Sequence, residues 1–431
     1  MRHQEVEVLA IGAGPANLAL GIALEEMAPK ELAAGTLIIE QHDNTLWQRG
    51  MLLPWTQSQV SFLKDLVTLR NPRSEFSFVN YLHSIGRLDE FINLGTFTPY
   101  RSEISGYLQW VASSLREVQI EYGRRCVSIE PGPVQDGQVT HWLARTADGA
   151  VISSRSLVIG AGRDAYVPAE FAALPENRVI HSTRFSERIE QVDPKEAERI
   201  VVIGGAQSAA ELLWAAYQRF PEARCTMLMR SIGLNAYQSS KFTNELFYPS
   251  FIDDFFATRP ETRLQVLREM HVTNYAGLAP NMLETLYREM YQERLQGTER
   301  LRMRTLTDVA AARMEDDEVV LTTVDRKTGD REELRCDLVL LGTGFVRDMP
   351  GMVRDLATAT GAGQATVDRT YRMVLPESYT ARCYLQGVNE ATHGIADSLL
   401  SVLASRSQDI VTDLLAGRGV PSDEALLAKA L

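Results

Sequence analysis

The chain has 431 residues, 45% of them apolar, enough for two or three domains with full cores. Its net charge of −12, with no Lys/Arg run, argues against a nucleic-acid or membrane-surface partner. No apolar run nears the ~20 residues that span a bilayer. The four cysteines (Cys126, Cys225, Cys336, Cys383) show neither C-x-x-C nor metal-ligand spacing, so they read as reduced thiols of a cytoplasmic protein with no metal site. The N-terminus enters the first strand almost directly, which leaves no room for a signal peptide.

Val6–Ile11 is predicted as a buried strand. It runs into Gly12-Ala13-Gly14-Pro15-Ala16-Asn17 and an Ala/Leu-rich helix. Strand, glycine turn and helix start are what a dinucleotide fold requires. Gly12 permits the turn, and Gly14 lets the backbone approach a pyrophosphate. The helix N-terminus then holds the anion. Asn17 stands where a third glycine is usual. Glu40 ends the next apolar run, 36–40, where a carboxylate accepts from ribose hydroxyls. A long polar and aromatic connection, 41–99, follows. Its length marks it as functional rather than a simple loop, and its aromatics argue against disorder. Residues 101–117 read as an amphipathic helix. Residues 119–158 read as a β-meander with turns at Asp136-Gly137 and Asp148-Gly149.

The opening pattern recurs at 199–211, RIVVIGGAQSAAE. Gly204 falls on Gly12, Ala206 on Gly14 and Ala209 on Asn17. Gln207 and Ser208 begin the helix that follows. The next strand ends at Arg230, where the first copy ends in Glu40. Glutamate suits two free ribose hydroxyls, and arginine suits a 2′-phosphate. The pair predicts one dinucleotide like FAD and one like NADPH. Residues 241–300 read as mostly helical, 301–336 as strands, and 337–345 as another buried strand ending in small residues. The expected architecture is α/β. A discontinuous FAD domain spans 1–165 and 337–415, and an NADPH domain spans 166–240 and 301–336. Both are Rossmann-like. A smaller helical substrate-binding region spans 241–300, and 416–431 form a tail.

Two such folds in one chain suggest hydride passing from nicotinamide to flavin, with the hard chemistry left to the flavin. No redox dithiol, Ser-His-Asp set or carboxylate pair stands out. Oxidase, monooxygenase and simple reductase remain open on these grounds.

The segments GAGPANLAL (12–20), GMLLP (50–54), QVSFLKDLVTLRNPRSEFSFVNYL (59–82), PYRSEISGYLQW (99–110), GGAQSAAE (204–211), FTNELF (242–247), TNY (273–275), DLVLLGTGF (337–345) and THGIADSLLS (392–401) narrow the choice. Together they resemble the flavin-dependent N-hydroxylating monooxygenases, the L-ornithine N5- and L-lysine N6-monooxygenases of siderophore and related biosynthesis. The resemblance covers about residues 6–405. It implies FAD, NADPH, O2 and a small primary amine of an amino acid, with ornithine first, lysine second and a diamine such as putrescine or cadaverine as a further choice. It also implies a soluble homo-oligomer, dimer or tetramer.

Position by position, Lys64 resembles the lysine that pairs with the substrate carboxylate. Asn244 resembles an asparagine touching substrate and nicotinamide ribose, and Asn274 one at the substrate α-amino end. Gln59 resembles the glutamine near the flavin's reactive edge, and Arg101 an arginine lying against the flavin ring. Gln59, Arg101 and Asn244 form the expected catalytic set. The resemblance also implies that the THGIADSLLS run closes over flavin and substrate, with Ser401 as a candidate neighbour of the substrate. Pro15, Asn17, Trp47, Gln207, Ser208, Thr392, His393 and Leu399 complete the expected cofactor contacts. Between Arg230 and Phe242 the chain departs from the more acidic, Pro-containing stretch of many ornithine members. The implied reaction has NADPH reduce FAD, oxygen add at the flavin C4a, and a neutral amine attack the distal oxygen. A Baeyer–Villiger or sulfur-oxidising monooxygenase, or a reductase serving a partner, would share the nucleotide folds without the SFLKD and FTNE features.

Overall fold

The computed structural model describes residues 3–237, 240–275 and 277–419, without the side chains of Val272, Thr273 and Asn274. The Asn274 side chain and the tail from residue 420 onward therefore lie outside the described residues. Two parallel sheets organise the rest. The first is built on His3–Ile11, with Thr36–Ile39 on one side and Val151–Ile159 on the other. Gln119–Glu121 extends it beyond Thr36–Ile39, and Arg382–Leu385 pairs with the end of Val151–Ile159. The start of that last strand pairs antiparallel with Trp142–Thr146, which pairs with Cys126–Pro131. The meander expected from 119 thus begins at Cys126, because Gln119–Glu121 joins the parallel sheet instead.

Alternation along a strand sends neighbours to opposite faces. Val8 and Ala10 pack with Leu20 and Ala23 of the helix Pro15–Met27 and with Ile410 and Leu414 of Leu403–Ala416. Leu9 and Ile11 pack on the other face with Trp142, Val353 and Leu356. Covering both faces is what a parallel sheet of apolar strands needs.

The second sheet has the order Leu301–Arg304, Arg224–Leu228, Arg199–Ile203, Leu338–Leu341, Val179–His181, all parallel. A three-stranded antiparallel sheet, Thr307–Glu315, Glu318–Asp325 and Arg331–Cys336, adjoins it. Leu338–Leu341 was expected with the first domain. It hydrogen-bonds instead to Arg199–Ile203 and Val179–His181, so the boundary set at 337 falls one strand early. Its apolar run and glycine end match those of Val151–Ile159, and only the pairing tells the two apart.

The connection 41–99 contains the short turns Arg49–Met51 and Phe62–Lys64 and the helices Phe78–Ser84 and Leu88–Leu94. Phe62, Phe78, Phe91 and Tyr107 meet edge to face at centroid distances of 5.3 to 5.6 Å, a geometry that adds to simple burial. Residues 241–300 carry the helices Lys241–Glu245, Ser250–Ala257, Pro260–Asn274 and Pro280–Gln296. Among the described residues no helix is long and apolar enough to cross a membrane.

Candidate active site

The first glycine turn is shaped by Gly12, whose φ is +91°; a Cβ there would lie 2.9 Å from Gly160 O. Pro15 opens the helix at its first turn, where its fixed φ is favourable and its missing N–H is no loss. A Cβ on Gly14 would meet nothing within 4 Å. The backbone there is a cradle open to a large group at a helix N-terminus, which fits a pyrophosphate. Glu40 faces the same turn: its Oε2 accepts from Ala13 N at 2.8 Å. Trp47 is half-buried against the Leu18 and Ile22 cluster beneath that helix, and its backbone N–H donates to Ser105 Oγ at 3.2 Å.

Asn17 departs from its expected role. Its Nδ2 donates to Ile11 O (2.9 Å) and Gly12 O (2.8 Å), and its Oδ1 accepts from Gln386 Nε2 (2.7 Å). The side chain has no exposed surface, so it braces the turn from behind and cannot touch a cofactor lying on it. Gln386 accepts in turn from Arg406, which pairs with Asp397 at 3.0 Å in the segment 392–401.

The second turn repeats the backbone. Gly204 has φ +137°, and a Cβ on it would collide with Gly342 O. Ala206 is extended at the start of the helix Gln207–Arg219, with Ser208 half-buried in its first turn. Gly205 lies against the end of the neighbouring strand, where a Cβ would be 3.0 Å from Ser231 Oγ. Arg230, beside Ser231, is exposed, and among the described residues no carboxylate pairs with it. An exposed, unpaired arginine at the rim of a nucleotide turn suits a 2′-phosphate.

A side-chain relay joins Gln59 and the helix Arg101–Ser114 to the second glycine helix. Arg101 forks onto Glu211 with both Nη–Oε distances 2.7 Å. Gln207 Nε2 donates to Glu211 Oε1 at 2.7 Å, and Gln59 Nε2 donates to Gln207 Oε1 at 3.2 Å. Gln59 and Arg101, expected at the flavin, are thereby joined to the first residue of the second glycine helix. Gly50 marks the same junction: a Cβ there would collide with the backbone of Ser182 and Thr183, while Ser186 Oγ donates to Gly50 O at 2.9 Å.

Lys64 ends the Phe62–Lys64 turn. Its neighbour Asp65 is turned inward, accepting from Val67, Thr68 and Phe78 N–H groups, so the two do not form an ion pair. Lys64 Nζ sits 4.2 Å over the Tyr248 ring, and among the described residues no carboxylate pairs with it. Partial burial pushes its pKa down. Tyr248 lies four residues beyond Asn244, in the helix Lys241–Glu245; Ser240 caps that helix, so Asn244 is not its cap. Tyr275 follows Asn274 and donates to Glu390 Oε2 at 2.9 Å, with Ser398 Oγ at 3.1 Å. The helical insert is thus tied to the 390–401 segment. Burial pushes the Tyr275 hydroxyl up to about 12.

Ser401 Oγ is buried with no hydrogen-bond partner, and its turn, Leu400–Val402, packs on Phe62–Lys64. A stranded buried hydroxyl beside the Lys64 turn fits a site that takes a polar ligand. Leu399 is half-buried and extended beside it. Thr392 Oγ1 donates to Asn389 O and lies 2.9 Å from His393 Nδ1. His393, expected at the cofactor, is 1% exposed, stacks on Tyr371 at 4.0 Å and places Nε2 3.1 Å from Arg369 O. Burial lowers its pKa to about 4. It is a neutral core residue, not a cofactor contact.

Glu211 escaped the sequence reading although it closes the GGAQSAAE motif. The available signal was a carboxylate set in the run 209–213, which is otherwise Ala and Leu. A charge buried in such a run requires a partner. Gly50 escaped too, since nothing local marks a close approach to residue 183.

A model of the family described as L-lysine 6-monooxygenase/L-ornithine 5-monooxygenase matches residues 4–347. An L-ornithine N(5)-oxygenase of Arthrobotrys oligospora is 37% identical over 430 residues, 95% of this chain and 88% of that one. The solved ornithine hydroxylase of Pseudomonas aeruginosa superposes with a TM-score of 0.89 at 35% identity, covering 96% of this chain and 100% of that one. The ornithine N-hydroxylase of Kutzneria sp. 744, solved with reduced FAD, NADP+ and L-ornithine, gives 0.89 at 33% identity with the same coverage. Paired glycine turns, their opposite rim charges and the Lys64 turn fall within that matched span, and the chain belongs to the L-lysine 6-monooxygenase/L-ornithine 5-monooxygenase family.

Proposed function

We propose that the protein N-hydroxylates the side-chain amine of L-ornithine, using FAD, NADPH and O2. The observation that carries the substrate assignment is Lys64, a half-buried cation with no carboxylate partner among the described residues, standing over Tyr248. Its lowered pKa reports desolvation, and a substrate carboxylate offsets that cost with a charge-assisted bond. Asn244, Asn274 and Ser401 are assigned to the same ligand, with the α-amino end toward Asn274.

Gly14 would hold the FAD pyrophosphate at the first turn, and Glu40 its ribose. Ala206, Gln207 and Ser208 would hold the NADPH pyrophosphate at the second turn, and Arg230 its 2′-phosphate. When bound, the pair supplies reducing equivalents and activated oxygen. The chain supplies the rest. Lys64 would fix the substrate's far end and leave its terminal amine free to reach a bound flavin, with Gln59, Arg101 and Asn244 assigned to that end. An alkylamine titrates near ~10.4 in water, and it must be neutral to react. A site that excludes water favours the neutral form. The second reading is L-lysine, favoured by the family description, which names both amino acids.

Four buried thiols support a reducing, cytoplasmic setting. The exposed row Tyr287, Tyr291 and Leu295, four residues apart on the helix Pro280–Gln296, supports self-association as a dimer or tetramer. The function is tested by NADPH oxidation and a hydroxylamine assay over ornithine, lysine, putrescine and cadaverine. Ornithine is expected to give the most hydroxylamine per NADPH. A diamine turned over better than either amino acid would overturn the role given to Lys64.

A further inference from the structure

Glu211 is 1% exposed and is held by two partners. Arg101 Nη1 donates to its Oε2 and Arg101 Nη2 to its Oε1, both at 2.7 Å. Gln207 Nε2 donates to Oε1 at 2.7 Å. Gln207 Oε1 accepts from Gln59 Nε2 at 3.2 Å and from Ala279 N at 2.8 Å. Arg101 is further fixed by its backbone N–H to Thr56 O at 2.9 Å. One carboxylate therefore ties together the helix Arg101–Ser114, the 51–59 segment, the second glycine helix and the start of the helix Pro280–Gln296.

Two physical facts make this more than packing. A bidentate arginine–carboxylate pair fixes direction as well as distance, so Glu211 sets where the Arg101 guanidinium points. Gln207 is the first residue of the helix whose N-terminus faces the second dinucleotide. Among the described residues the Gln207 side chain is bonded to Glu211, to Gln59 and to Ala279 N, so it stands between that N-terminus and the Arg101 pair. Such a buried pair adds little net stability against an apolar replacement, so stability alone is a poor account of its presence.

We propose that Glu211 is a positioning residue that couples occupancy of the second dinucleotide site to the setting of Arg101 and Gln59 at the first. This rests on the assignment of FAD and NADPH to the two turns. NADP+ bound at Ala206–Ser208 draws on Gln207. The Gln207–Glu211–Arg101 line transmits that to the flavin side, and Gln59 follows through its own bond to Gln207.

The test uses the FAD-loaded enzyme and the variants Glu211→Gln, Glu211→Asp and Gln207→Ala. NADP+ is titrated while the flavin absorption spectrum is followed, and its Kd is measured separately by calorimetry. In the wild type NADP+ shifts the flavin spectrum. In Glu211→Gln the shift is lost while the NADP+ Kd moves by less than about tenfold, or ~1.4 kcal/mol. Glu211→Asp restores part of the shift, because it keeps the charge. Gln207→Ala, which leaves the Arg101 pair intact, loses the shift as well, and it carries the test if Glu211→Gln does not fold. A full shift in Glu211→Gln or in Gln207→Ala overturns the proposal. So does loss of the shift in Glu211→Gln in step with loss of its NADP+ binding, or an Asp variant no better than Gln; Gln207→Ala is read at saturating NADP+, since Gln207 is itself assigned to that ligand. A wild-type enzyme that binds no FAD or no NADP+ refutes the cofactor assignment instead, and that result is read before any variant is made.

Discussion

At residues 12–17 and again at 204–209, a glycine with positive φ lets a parallel strand turn into a helix, and a second glycine arrives from the end of the adjacent strand. The third position separates the two turns. Asn17 hydrogen-bonds Ile11 O and Gly12 O and links to Gln386. Ala209 makes no such bonds and packs so closely that a Cβ on Gly342 would lie 2.5 Å from its Cα. One turn is braced by polar bonds, the other by close packing. The rims differ as well: Glu40 folds back onto Ala13 N, while Arg230 stands exposed. The backbone device is general, and the ligand distinction rests on the side chains around it.

Exchanging the third residues breaks the comparison most sharply. Asn17→Ala removes three hydrogen bonds, two of them buried, and strands Gln386, at about 2–4 kcal/mol. Ala209→Asn overfills the other turn, at about 1–3 kcal/mol. Urea unfolding of each variant should show both losses, with the larger at Asn17. Equal, negligible losses would mean that the two braces are interchangeable.

A residue belonging to neither turn should leave both intact. Lys64→Ala is expected to raise the KM for ornithine about 10- to 150-fold, from a charge-assisted bond of about 1.5–3 kcal/mol. Since Lys64 sits at the far end from the chemistry, kcat should change less, the mark of lost uniform binding. FAD content should be unchanged. An unaltered KM, or loss of FAD, would make Lys64 structural.

The rim charges are separated by Arg230→Ala. An exposed phosphate contact is worth about 1–2 kcal/mol, so the KM for NADPH should rise about 5- to 30-fold while that for NADH barely moves. Equal effects on both would remove Arg230 from the 2′-phosphate.

Each half also buries a histidine, and these give the smallest effect. Burial lowers the pKa of His181 and takes that of His393 to about 4. Between pH 6.5 and 4 the unfolded His393 binds a proton that the folded one refuses. Stability is therefore full above pH 6.5 and falls as pH drops, by about 1 kcal/mol between pH 7 and 5.5. His393→Phe keeps the stack on Tyr371 and should flatten the His393 part of that slope in urea titrations across pH. An unchanged slope would mean the imidazole is not the group titrating.

Both glycine turns, their helices and the opposite signs of residues 40 and 230 were legible because each is written in a few consecutive residues. The Lys64 turn was legible through resemblance. What escaped depends on pairing across the chain. Leu338–Leu341 and Val151–Ile159 look alike as sequences, and only their partners place them in different sheets. Asn17 and His393 are polar residues in motifs that face a cofactor, yet burial turns both inward. Arg101 and Glu211 are 110 residues apart, and nothing local to either announces the other.

The central claim is that NADPH and O2 are spent at the junction of the two halves to oxidise one nitrogen of ornithine. The most direct measurement supplies 18O2 to the FAD-loaded enzyme with NADPH and ornithine and reads the product by mass spectrometry. The account predicts N5-hydroxyornithine carrying one 18O atom, formed in proportion to the NADPH consumed. NADPH oxidation that yields only labelled hydrogen peroxide, with ornithine recovered unchanged, would contradict it.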